Sequence, residues 1–265
     1  MAGGSGAGGT SGGAGGAAGD APAGSSGMGG AGAGGAGESG AGGAAGSSSA
    51  GASPGGSGGA GGGTGGCEKG QTAGDEVLVI GESFIAATHE LTREIERQAR
   101  MNGSLGQNES YRDNSISGTT LAGGGNSIPN QYAQGVQEGP VRFVLMDGGG
   151  NDCLQANNPS GALSAAMTLF QNMQANDTER IVYFFYPDPI GNQFASLKSC
   201  LDTLRPQMKA LCDGLTSPRC YWLDLRPVWE GHPEYTSDGI HPTTAGSVAT
   251  GRAIWDVMVE NCVAQ

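Results

Sequence analysis

The first 66 residues contain no Val, Ile, Leu, Phe, Tyr, Trp or Cys. They hold 32 Gly, 16 Ala and 10 Ser, with Asp20 and Glu38 as their only charges. Such a stretch cannot bury enough apolar surface to offset the entropy of ordering it, so residues 1–66 are expected to be a disordered Gly/Ala/Ser-rich tail. As a Gly-rich coil the tail would span roughly 45 Å, and its irregular Gly spacing excludes a collagen triple helix. It reads either as a low-complexity extension without function or as a tether to a cell envelope. Residues 67–265 carry every aromatic, every branched aliphatic and all six Cys, a length that suits one domain with its own core.

All 13 Lys and Arg fall in that second part, together with 23 of the 25 acidic residues. An acidic domain without a basic cluster argues against nucleic acid and anionic membrane surfaces as partners, because both attract clustered cations. No run approaches the roughly 18 apolar residues of a membrane span. The six Cys include no CxxC pair, whereas a zinc site would want closely spaced ligands. Three disulfides and an oxidising, secreted or cell-surface location fit better. The start of the chain has neither the charged front nor the apolar core of an export signal, so such a signal is expected upstream of Met1.

From Glu76 onward, short apolar runs alternate with helical stretches. Glu76–Ile80, Val141–Met146, Ile181–Tyr186 and Tyr221–Leu225 read as strands. Phe84–Met101, with apolar Ile85, Leu91 and Ile95, reads as a helix, as do 161–174, 194–212 and 243–261. This alternation implies a mainly parallel sheet covered on both faces. Sheets of that kind bind and react at the carboxyl ends of their strands. Attention therefore falls on 81–84, 147–153, 187–192 and the segment after Leu225.

Ser83 follows the first strand in Gly-Glu-Ser-Phe-Ile, where a Ser serves either as a helix N-cap or as a hydroxyl beside free helix amides. A Gly-x-Ser-x-Gly nucleophile elbow is absent. His241 has Asp238 three residues before it, a spacing that lets a short turn bring the carboxylate to one imidazole nitrogen and leave the other for a reacting group. His232 has Trp229 at the matching place and so lacks that partner, while His89 is expected on a face of the first helix. Asn151 lies in Asp-Gly-Gly-Gly-Asn-Asp, either a plain turn or a close-approach loop with an amide donor; no P-loop Lys accompanies the glycines. Gly118 is either an amide donor or a loop residue. Trp229 and Tyr235 precede Asp238 and could stack on a substrate or pack beneath the loop.

Taken together, Ser83 in Gly-Glu-Ser, Gly118, Asn151 in Gly-Gly-Asn-Asp and Asp238-x-x-His241-Pro242 follow the order and spacing of the SGNH hydrolases, also called GDSL esterases and lipases. The chain resembles that superfamily over about residues 75–262. It departs in having Glu82 where the family usually has Asp, and Phe84 where it has Leu. The resemblance implies a three-layer α/β/α, flavodoxin-like fold and ester hydrolysis without cofactor or metal. Ser83 would be the nucleophile, His241 the base and Asp238 its orienter. The Ser83 and Gly118 amides and the Asn151 side chain would form the oxyanion hole.

In such a fold Cys153 and Cys200 fall at the catalytic edge of the sheet, and Cys67, Cys212, Cys220 and Cys262 at the opposite edge. Cys200 and Cys212, if helical, are about 18 Å apart and cannot bond to each other. The pairing expected is Cys153–Cys200, Cys212–Cys220 and Cys67–Cys262. With no long apolar lid in view, the expected substrate is a small-molecule or glycan ester carrying a short acyl group, acetylated carbohydrate first. An alternative of a different class stays open: a catalytically idle domain that binds envelope carbohydrate on a flexible tether.

Overall fold

Every side chain of Val77–Ile80 and Phe143–Met146 is buried, as expected of strands covered on both faces. They are β1 and β3 of a five-stranded sheet, with β2 (Arg112–Asp113), β4 (Arg180–Phe185) and β5 (Arg219–Asp224). The structure, a computed structural model, describes residues 67–265; the tether expected over 1–66 lies outside the described residues. All strand pairs are parallel, in the order β2-β1-β3-β4-β5. That is the flavodoxin-like order, with its reversal point between β1 and β3.

Among the described residues eight helices accompany the sheet: α1 (Ser83–Ala86), α2 (Glu90–Asn102), α3 (Ile128–Glu138), α4 (Gly150–Ala156), α5 (Pro159–Ala175), α6 (Ala195–Asp213), α7 (Arg226–Trp229) and α8 (Thr244–Glu260). From β1 the chain steps one way across the sheet to β2, and from β3 it steps the other way to β4 and β5. Accordingly α2 packs on α8, while α6 packs on α4 and α5, giving the three layers.

The structure corrects the expected helix over Phe84–Met101, which is broken between α1 and α2. His89 sits there in the left-handed region, with φ 53°. Its Nδ1 lies 3.0 Å from Asp113 at the end of β2, and Thr88 Oγ1 accepts the Glu90 N–H at 3.2 Å. His89 is thus a turn residue tied to a neighbouring strand. Gly150–Ala156, where a turn was one expectation, is helical, and β2 and α3 are additional elements.

Cys212 at the end of α6 is bonded to Cys220 in β5, Cys67 to Cys262, and Cys153 of α4 to Cys200 of α6. Only the last bridge lies at the carboxyl edge of the sheet.

At that edge β1 and β3 run into a buried carboxyl pair. Gly81 has φ 155° and lies so close to the Asp147 carboxylate that a Cβ would collide with it. Gln131 of α3 holds Gly81 from both sides, accepting its N–H at 2.7 Å and donating to its carbonyl at 3.0 Å. Asp147 Oδ1 accepts the Glu82 N–H at 2.7 Å, and Oδ2 has no partner among the described residues. Burial pushes the Asp147 carboxyl up to about 7. Burial and the neighbouring Asp147 push Glu82 well above its usual range.

A carboxyl whose folded pKa is raised contributes stability below its unfolded pKa and loses it as pH rises through the folded value. For Asp147 that window runs from the ordinary carboxylate range to about 7. The thermal midpoint should therefore fall between pH 5 and pH 8, on the order of 5 °C. Asp147→Asn should flatten that slope; an equal slope in calorimetry of the variant would show that Asp147 does not generate it.

Candidate active site

Ser83 opens α1 two residues beyond Gly81, and Glu82 before it is extended, with φ −98° and ψ −165°. As the first residue of a helix, Ser83 has a backbone N–H with no intrahelical partner. Its Oγ lies 2.9 Å from His241 Nε2, and His241 Nδ1 lies 2.6 Å from Asp238 Oδ2. The relay Asp238–His241–Ser83 is continuous when the imidazole carries its proton on Nδ1 and accepts the Ser83 hydroxyl proton at Nε2.

The Asp238 loop is built from local bonds. Asp238 Oδ1 accepts the N–H groups of Ile240 at 2.9 Å and His241 at 2.8 Å, an Asx-type turn that folds the carboxylate back over the following residues. Thr236 Oγ1 donates to Asp238 at 3.2 Å and accepts the Gly239 N–H at 2.9 Å. The Gly239 carbonyl accepts the Ile190 N–H at 2.8 Å, which ties this loop to the segment after β4. Partial burial alone would raise the Asp238 pKa. The bonds from the His241 ring and from the His241 and Ile240 amides outweigh it and hold the carboxyl well below its ordinary range. Asp238 is therefore an anion facing the imidazole at every pH where the fold is expected to operate.

Asn151 comes from α4 and is buried. Its Nδ2 donates to the Thr119 carbonyl at 2.8 Å, which fixes the amide and leaves a second N–H for a ligand. Glu82, from the opposite side of the reversal point, caps α4: its two carboxyl oxygens accept the N–H groups of Gly149 at 2.9 Å and Asn151 at 2.8 Å. Asp152 holds the Thr119 loop in turn, accepting the N–H groups of Leu121 at 2.8 Å and Ala122 at 2.9 Å. Gly118 sits on that loop in the left-handed region, with φ 80°. Its carbonyl accepts from Gln155 at 3.3 Å, and its N–H has no acceptor among the described residues.

Ser83, Asn151 and His241 line one cleft of about 50 Å³. Its other walls are largely apolar: Phe84, Leu154, Tyr186, Leu197, Leu201 and Ile240. Gly118 and Asp238 are not among the lining residues; Asp238 stands behind His241. Arg205 of α6 braces the wall after β4, donating to the Tyr186 carbonyl and to Asp224, both at 2.9 Å. Trp229 and Tyr235 lie outside the cleft and pack together, with ring centroids 5.8 Å apart. Trp229 also rests on Phe84 and donates to Thr250 Oγ1 at 3.0 Å, so the packing alternative describes it. His232 stacks on Tyr235 and pairs with Glu234. Among the described residues no group of three or more His, Cys, Asp or Glu side chains is arranged to hold a metal ion.

Sequence reasoning missed Glu82, Gln131, Asp152 and Arg205. Each is a polar residue buried to at most 5% exposure, but burial is a property of the fold, and only Glu82 beside Ser83 and Asp152 at the end of Gly-Gly-Asn-Asp carried a signal in the chain itself.

Among curated proteins, none matches this chain. Solved structures show the same fold. TesA aligns with a TM-score of 0.55 and 19% identity, covering 69% of this chain and 97% of its own. A carbohydrate esterase family 3 protein from Talaromyces cellulolyticus aligns with a TM-score of 0.55 and 14% identity, covering 70% and 96%. A mutant acetyl esterase with acetate ion gives the same TM-score and identity, again covering 70% and 96%. The GDSL-like lipase/acylhydrolase family model matches residues 79–249, from within β1 to within α8. This chain belongs to the GDSL-like lipase/acylhydrolase family and is a carboxylic ester hydrolase.

Proposed function

We propose that the protein hydrolyses short-chain acyl esters, acetyl esters of carbohydrate first among them, through an acyl-enzyme on Ser83. The unbroken hydrogen-bond relay from Asp238 through His241 to Ser83, with Ser83 and His241 lining a small cleft, carries this reading. Ser83 Oγ attacks the ester carbonyl carbon while His241 Nε2 takes its proton. Asp238 stabilises the imidazolium that results. The carbonyl oxygen becomes an oxyanion, held by the Ser83 and Gly118 amides and the Asn151 side chain. Collapse of this intermediate breaks the bond to the alcohol oxygen, which receives the proton from His241. Water then attacks the acyl-Ser83 carbonyl with His241 again as base, and the acid leaves with Ser83 restored.

The size of the cleft, about 50 Å³, well below that of pockets for drug-sized ligands, supports a short acyl group. The carbohydrate esterase and acetyl esterase of the same fold support an acetyl ester as the first substrate to test. Three disulfides support an oxidising, extracellular compartment.

Turnover of p-nitrophenyl acetate and of acetylated xylan should be measured on the wild type and on two variants. Ser83→Ala should abolish turnover to within the uncatalysed background. Asn151→Ala should lower kcat by about 100-fold or more with KM nearly unchanged, as for loss of one oxyanion donor. Full activity in Ser83→Ala would overturn the mechanism, and an unchanged kcat in Asn151→Ala would remove that side chain from it.

A further inference from the structure

The two apolar walls of the cleft come from different helices. Leu154 belongs to α4, the helix that carries Asn151, whereas Leu197 and Leu201 belong to α6. Cys153 is adjacent to Leu154, Cys200 lies between Leu197 and Leu201, and the two Cys are bonded with their Cα atoms 5.5 Å apart. Among the described residues no side-chain hydrogen bond or ion pair crosses from α4 to α6. The polar anchors of α4 lead elsewhere, to Glu82 and to the Gly118–Ala122 loop. Those anchors fix Asn151 relative to Ser83, but they do not fix how far Leu154 stands from Leu197 and Leu201. Apolar packing is non-directional and tolerates helix shifts; a disulfide holds its Cα atoms within a narrow range.

We infer that the Cys153–Cys200 disulfide sets the width of the cleft and thereby restricts the substrate to acyl groups of about two to four carbons. The inference rests on the esterase reading above and names the substrate class of that same site. With the bridge in place the cleft measures about 50 Å³. Leu197 and Leu201, both nearly fully buried, close its floor, and Leu154, 45% exposed, stands at its rim. Without the bridge only apolar packing holds the Leu154 side of α4 against α6. A longer chain then fits, and an acetyl group is held less well.

The test is kcat/KM for p-nitrophenyl acetate, butyrate and octanoate. It compares the wild type, Cys153→Ala with Cys200→Ala, and Cys212→Ala with Cys220→Ala, whose bridge lies at the far edge of the sheet. The octanoate-to-acetate ratio should rise by about tenfold in the first pair and stay within about twofold of wild type in the second. Leu201→Ala, which enlarges the floor with the bridge intact, should raise the ratio as well. Should the first pair fail to fold, the wild type is reduced stepwise and the ratio followed against alkylation of Cys153; the ratio should climb with that alkylation. A ratio unmoved by loss of the bridge, or moved equally by loss of Cys212–Cys220, would overturn the inference while leaving the esterase reading intact. A wild type inactive on all three esters, or one whose activity survives Ser83→Ala, would overturn that reading and the inference with it.

Discussion

The parallel pairing of β1 with β3 governs the rest of the molecule. Its register sets Ile80 opposite Met146, so both strands end at the same level and Gly81 meets Asp147 there. Because the strand order reverses between these two strands, the connections leaving them turn to opposite faces of the sheet and open a crevice. Ser83 stands on one lip and Asn151 on the other. A one-residue slip in that ladder would send every side chain of β1 to the wrong face. It would also take Glu82 away from the α4 amides it caps.

Glu82 shows what the crevice demands of its neighbours. Its carboxyl reaches across to bond the Gly149 and Asn151 amides, a span to which its extra methylene, relative to the family's usual Asp, contributes length. The cost is two carboxyl groups buried side by side. Burial raises both, so at neutral pH and below the pair retains a proton. That spares the crevice a second full negative charge beside the place where an oxyanion would form. Asp238 is treated in the opposite way: half-exposed and ringed by donors, it stays ionised. Two kinds of carboxyl environment thus flank one serine, one holding a proton and the other holding a charge.

What was legible in the chain follows the range of the interactions involved. Asp238 and His241 could be paired on paper because their bond closes within three residues, through an Asx-type turn that needs no distant partner. The apolar runs of β1, β3 and β4 announce buried strands by composition alone. The break at His89 could not be read, because apolar Ile85, Leu91 and Ile95 continue the helical spacing and the residue that holds His89 comes from another strand. α4 was hidden in its glycines, since its N-terminal cap is a carboxyl 67 residues away. α3 was obscured by Gly135, which sits where a Cβ would strike Leu78 of β1. Local chemistry was visible, and long-range capping was not.

The central claim is that Ser83 is activated by His241, and covalent labelling tests it directly. The folded protein would be treated with a fluorophosphonate, and the modified residue found by mass spectrometry in the wild type and in His241→Ala. Modification of Ser83 in the wild type that is lost in His241→Ala is the result this account predicts. A folded wild type that takes up no label, or takes it up equally at Ser83 without His241, would contradict it.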